Sequence, residues 1–161
     1  MAIYFDQEED MLYPTLNEVE ELLKDYQMVP VFYEVLADYM TPIRMFQALR
    51  KQGTPCFMLE SVENKDQWGR YSFIGINPKS EIKISGKELE VDGVKQEEEF
   101  KMSYLSDLIK KYKSPVMEDY PKLTGGLIGY FGYDMIRQVE KKLTNVPEDD
   151  LKMPECHLCM Y

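Results

Sequence analysis

The sequence predicts an α+β fold in which an antiparallel sheet is accompanied by three or four helices. Two tight-turn signals, Gly86-Lys87 and Asp92-Gly93, join short alternating runs, as β-hairpins require. Separate segments repeat apolar residues at helical spacing behind their own start signals. Runs rich in β-branched and aromatic residues, bounded by Pro and Gly, supply further strands.

Residues 1–10 read as a flexible lead, and residues 11–161 as one domain. Thr15-Leu16-Asn17-Glu18 is a capping box, so a short helix follows, with Val19, Leu22, Leu23 and Tyr26 on one face. The run Val29 to Leu36 reads as a strand with Pro30 at its start, where a missing donor matters least. Thr41-Pro42 opens a second helix, with Ile43, Phe46 and Leu49 as its stripe and Gly53 as its stop. Cys56-Phe57-Met58-Leu59 is wholly apolar and reads as a buried strand ending at Glu60-Ser61. A polar loop, 62–69, leads to a strand from Arg70 to Ile76, closed by Asn77-Pro78. Glu81 to Ser85 and Glu88 to Val91 form the hairpin. Met102, Leu105, Leu108, Ile109 and Tyr112 mark a third helix, ended by Ser114-Pro115. Leu123 to Tyr133 is Gly-rich and reads as a strand that another backbone or a ligand approaches closely. Met135, Ile136 and Val139 suggest a further helical turn, and 143–154 a loop. Cys156 to Tyr161 reads as a strand just beginning, so the chain is expected to be a segment of something longer, truncated at its C-terminal end.

At 161 residues the chain is long enough for a core, since folding at this size buries roughly 70% of the unfolded surface. It is 44% apolar and 30% charged, with a net charge of −10. Such a surface repels phosphate backbones and anionic bilayers, so neither nucleic acid nor membrane is an expected partner. Small anions remain open to a local Arg or a helix N-terminus. No apolar run approaches the ~20 residues of a membrane span. The acidic start, Met1 to Asp10, is unlike a signal peptide. Three cysteines fit a reduced, cytoplasmic compartment.

Few residues here suit catalysis. Cys156-x-x-Cys159 and His157 together fall short of a four-ligand zinc site, and on a strand alternate side chains diverge. The one His leaves little scope for imidazole base chemistry. Ser61 has no His nearby for a triad. Gly125 to Gly132 lacks the Gly-Lys-Ser/Thr ending of a phosphate loop. No catalytic or metal residue is therefore assigned. Glu60-Ser61 is different, because a carboxylate beside a hydroxyl at a strand end can hold a zwitterion's ammonium. The competing reading pairs Glu60 with Arg70 or Lys65 and leaves Ser61 to cap the loop.

Met58-Leu59-Glu60-Ser61 followed by Ser72 resembles the Leu-Leu-Glu-Ser…Ser signature of the anthranilate synthase component I family. Trp68 to Gly75, Gly126 to Asp134, Tyr13-Pro14-Thr15-Leu16 and the segment from Pro30-Val31 to Thr41-Pro42 match it as well. The resemblance implies a front part of an enzyme that makes anthranilate and pyruvate from chorismate and ammonia, with Mg2+ in the full-length protein and tryptophan as feedback inhibitor. The ammonia would come from glutamine through a glutaminase subunit, component II. It also implies a tryptophan site at Leu59, Glu60, Ser61 and Ser72, with Met58 a tolerable exchange for Leu. The family's chorismate, magnesium and remaining tryptophan contacts lie further on, so the chain alone is expected to be inactive. The fold implied is one part of a larger two-layer β-sandwich core, incomplete here, whose open sheet edge would risk pairing or self-association. Aminodeoxychorismate synthase component I, of folate synthesis, shares this region and is the nearest alternative. A free-standing small-molecule binding module is a third reading.

Overall fold

The computed structural model describes residues 12–60, 71–118, 120–121, 123–140, 142–143 and 151–161. The expected lead, the polar loop 62–69 with Ser61 and Arg70, and most of the 143–154 loop lie outside the described residues. Among those described, the elements run β1 (Leu12–Tyr13), α1 (Leu16–Leu22), β2 (Phe32–Tyr33), α2 (Pro42–Leu49), β3 (Phe57–Glu60), β4 (Ser72–Gly75), β5 (Ser80–Ser85), β6 (Glu88–Val91), β7 (Val94–Lys95), α3 (Met102–Lys111), β8 (Leu127–Phe131), a 3-10 helix (Tyr133–Gln138) and β9 (Cys156–Met160). The fold is α+β with antiparallel pairing throughout, as the hairpin signals and helical stripes predict.

The principal sheet has five strands in the order β7-β6-β5-β9-β8. The β5–β6 hairpin turns through Gly86, and β6–β7 through Asp92 and Gly93 at φ 53° and 79°. Positive φ at both central positions suits the twist of a two-residue hairpin. The last strand does not extend an edge. It inserts between β5 and β8 and bonds to both.

Strand alternation gives the sheet one apolar and one polar face. Ile82, Ile84, Leu89, Cys156 and Leu158 form the buried face, covered by Phe100, by Leu105 of α3 and by Met135 of the 3-10 helix. Ile82, Ile84 and Cys156 have no exposed surface. Burying a side chain of isoleucine size contributes about 1.5–3 kcal/mol, so this layer anchors the fold.

The N-terminal helices form where their caps predict. At α1, the Thr15 backbone N–H and hydroxyl both donate to Glu18 Oε2 at 2.8 Å. At α2, the Arg44 N–H donates to Thr41 Oγ1 at 3.3 Å. Neither helix buries a residue among those described. Four expectations change. Helix α1 stops at Leu22, before Tyr26. Helix α2 stops at Leu49, ahead of Gly53, which takes a left-handed turn at φ 79°. The strand expected over 29–36 shrinks to Phe32–Tyr33, because among the described residues it pairs only with the equally short β1. The strand expected to be buried near Cys56–Leu59 is half-open, with Leu59 47% exposed, because among the described residues β3 pairs with β4 alone in a two-stranded ribbon.

Aromatic contacts tie the small ribbons down. Tyr120 stacks on Tyr13 and Phe32, with centroids 5.1 and 3.9 Å apart. Phe57 of β3 meets the Tyr161 ring edge-on at 4.8 Å, joining the β3–β4 ribbon to the end of β9.

Candidate functional site

The ribbon that carries the Leu-Glu-Ser motif is an antiparallel pair in the register Phe57↔Gly75, Met58↔Ile74, Leu59↔Phe73 and Glu60↔Ser72. Residues directly opposite one another put their side chains on the same face, with Cβ atoms about 4.5–5.5 Å apart. The register therefore sets Glu60 and Ser72 opposite one another, on one face at one end of the ribbon, although they are twelve positions apart in the chain. Leu59 and Phe73 form the next rung and face the other side. Of the four candidate residues, the structure thus joins Glu60 with Ser72 and sets Leu59 on the reverse face. Ser61 lies outside the described residues, as do the Arg70 and Lys65 of the competing ion-pair reading.

Local chemistry explains the ribbon. At Gly75 the Phe57 ring lies where a Cβ would stand, so only a glycine lets the ring cross the ribbon there. Helix α2 lies against β4, close to this ribbon. Glu60 is exposed, and among the described residues no cation stands within ion-pair distance of it. An exposed carboxylate beside a half-buried hydroxyl can accept an ammonium while the hydroxyl or a nearby backbone group takes a second polar atom.

The Cys156-His157-x-Cys159 run is arranged differently. Strand alternation sends Cys156 into the core and Cys159 to the opposite face, so the two thiols do not converge. Both are free and buried. Burial pushes the Cys156 thiol up to about 11, and burial also raises Cys159. Such thiols are poor nucleophiles and behave as small core residues. Among the described residues, no three His, Cys, Asp or Glu side chains come together.

A polar cluster that the sequence reading did not anticipate sits on the sheet face away from the core. His157 Nε2 lies 2.6 Å from Glu81 Oε1, and Lys83 Nζ lies 3.1 Å from the same oxygen and 3.7 Å from Glu90. Burial raises the Glu81 carboxyl, but the hydrogen bonds from Lys83 and His157 outweigh it and leave the group below its ordinary value. Lys83 is raised, chiefly by its bond to Glu81. The alternation Glu81-x-Lys83 hinted at a polar face. The partner His157 is 76 positions away, and only the β5–β9 pairing brings it there.

No protein-family model matches the chain. Curated relatives do. It is 43% identical over 157 residues to anthranilate synthase component 1 of Acetivibrio thermocellus, covering 91% of this chain and 30% of that protein. It is 35% identical over 145 residues to anthranilate synthase component 1 of Acinetobacter calcoaceticus, covering 84% and 29%. It is 35% identical over 171 residues to the chloroplastic anthranilate synthase alpha subunit 2 of Arabidopsis thaliana, covering 92% and 28%. The chain thus spans about 30% of the length of the first of these relatives. A crystal structure of anthranilate synthase component I from Streptococcus pneumoniae TIGR4 is similar with TM-score 0.45 and 25% identity, over 81% of this chain and 28% of that one. The family assignment rests on the sequence relatives.

Proposed function

The chain belongs to the anthranilate synthase component 1 family, and we propose that it contributes one wall of a tryptophan-binding regulatory site and no catalytic group. The observation that carries this reading is the 43% identity that runs through 157 residues, the Leu59-Glu60-Ser61 motif among them. The placement of Glu60 opposite Ser72 supports it, because a carboxylate and a hydroxyl on one rung suit the ammonium end of an amino acid. Leu59 and Ser61 complete the wall in this reading.

The protein that contains this segment converts chorismate and ammonia to anthranilate and pyruvate, a lyase step of tryptophan biosynthesis. A glutaminase subunit supplies the ammonia, and the setting is the cytoplasm. No helix among the described residues is long and apolar enough to cross a membrane. Magnesium, which the family's chemistry implies, does not fit the described residues, since they bring no three ligating side chains together. In this reading magnesium and chorismate are held by residues beyond the segment. Tryptophan acts by favouring one of two arrangements of the whole protein, which is how a site outside the active centre changes turnover.

The test is a chimera in which this chain replaces the matching segment of the A. thermocellus protein. Ser61→Phe in that chimera is expected to relieve tryptophan inhibition while turnover persists. Normal inhibition in the variant would overturn the assignment. Calorimetry of the chain by itself with L-tryptophan is expected to show no binding, because one wall does not make a pocket. Micromolar binding would favour a free-standing module instead.

A further inference from the structure

A concavity lies between α3, the 28–30 segment and the ends of β8 and β9. It is a cavity of about 160 Å³ walled by Met28, Pro30, Leu108, Leu127, Met160 and Tyr112. Apolar cavities of about 150 Å³ accept a benzene ring. The Ser114 and Thr124 positions supply polar groups at its lining.

Two ammonium groups gather on an aromatic ring of this cavity's wall. Lys79 Nζ stands 4.6 Å from the centroid of the Tyr112 ring, and Lys111 Nζ stands 5.4 Å from it. The Lys79 backbone N–H donates at 2.7 Å to the carbonyl of Met160, a lining residue. Lys24, Lys83, Lys87, Lys95 and Lys110 all pair with carboxylates. Among the described residues, Lys79 and Lys111 have no carboxylate partner. Lys51, Lys101, Lys113 and Lys142 likewise form no ion pair among the described residues, so what sets Lys79 and Lys111 apart is that both stand against one aromatic ring of the lining. The ring's face attracts each cation but does not use its N–H donors, of which an ammonium has three. The Tyr161 carbonyl, also at the wall, already accepts from the Gly126 N–H at 2.9 Å.

We infer that this cavity binds a small aromatic carboxylate, with the ring among Met28, Leu108 and Met160 and the carboxylate at Lys79 and Lys111. The inference does not depend on the tryptophan reading, since no residue of the β3–β4 ribbon lines the cavity.

The probes are benzoate and its neutral counterpart benzamide, titrated into the full chain and followed by ligand-observed NMR. Benzoate is expected to bind saturably and more tightly than benzamide. The double variant Lys79→Gln/Lys111→Gln changes two exposed side chains and should fold normally, which circular dichroism will verify. It is expected to weaken benzoate roughly fivefold, the scale of exposed ion pairs, and to leave benzamide unchanged. Ile109→Trp, at a lining position 61% exposed, is expected to abolish the binding of both. Absence of saturable benzoate binding, equal affinity for benzamide, or unchanged benzoate affinity in the double variant would each overturn the inference.

Discussion

Gly129 of β8 lies against the backbone carbonyl of His157 in β9, with no room between them for even a methyl group. The two strands pair in the register Gly129↔Leu158 and Tyr130↔His157, so the contact sits in the middle of the ladder. A glycine there lets the backbones close up. Gly129→Ala is expected to destabilise the chain by about 1–3 kcal/mol, the usual cost of overpacking a site whose neighbour is backbone. Urea unfolding followed by circular dichroism measures it, and an unchanged midpoint would contradict the packing described.

The apolar face of the principal sheet should carry most of the stability. Ile84→Ala removes a side chain with no exposed surface and is expected to cost about 2–5 kcal/mol. Leu36→Ala, at a position 93% exposed, should stay within about 0.5 kcal/mol. Equal effects of the two substitutions in thermal unfolding would mean that the core lies elsewhere.

Alkaline pH should loosen the fold. The Cys156 thiol is raised from 9.0 to about 11 by burial, and the Tyr161 hydroxyl from 10.0 to about 12, chiefly by burial. Both groups hold their protons longer when folded than when unfolded. Their contribution is complete below the unfolded values and is lost as pH rises through the folded ones, a window from about 9 to about 12. Cys156→Ala is expected to lower stability at neutral pH and to flatten the decline between pH 9 and 11. A decline as steep as in the parent chain would remove Cys156 from this account.

On the acid side the Glu81 cluster should contribute. Its carboxyl lies below 4.5 when folded. The stabilisation it gives is therefore present above that unfolded value and fades as pH falls through the folded one. Glu81→Gln is expected to lessen the loss of stability below pH 4.5 and to release the His157 ring, whose side-chain NMR chemical shifts at neutral pH should change. Unaltered ring shifts for His157 would show that the 2.6 Å contact is not maintained in solution.

Much of the local structure was legible in the chain. Thr15 and Thr41 cap the helices they announce, Asp92-Gly93 turns as its residue types require, and Gly129 marks a close approach. Two elements were misjudged where pairing, not propensity, set the outcome. The run around Phe32 has strand composition but little to pair with, and Leu59 is apolar but uncovered. The candidate site divided in the same way. Glu60 was visible as a carboxylate at a strand end, whereas its place opposite Ser72 came from the ribbon's register.

The sequence by itself determined the caps, turns, helical stripes and family membership of this protein, because those signals act over a few neighbouring residues or survive as shared identity along the chain. The tertiary structure alone decided that β9 enters the middle of the sheet, that His157 meets Glu81, and that Lys79 reaches the Tyr112 ring beside a cavity. Those relationships join residues tens of positions apart. Loop closure and strand pairing select them through the burial of a shared face, a quantity that no local pattern contains.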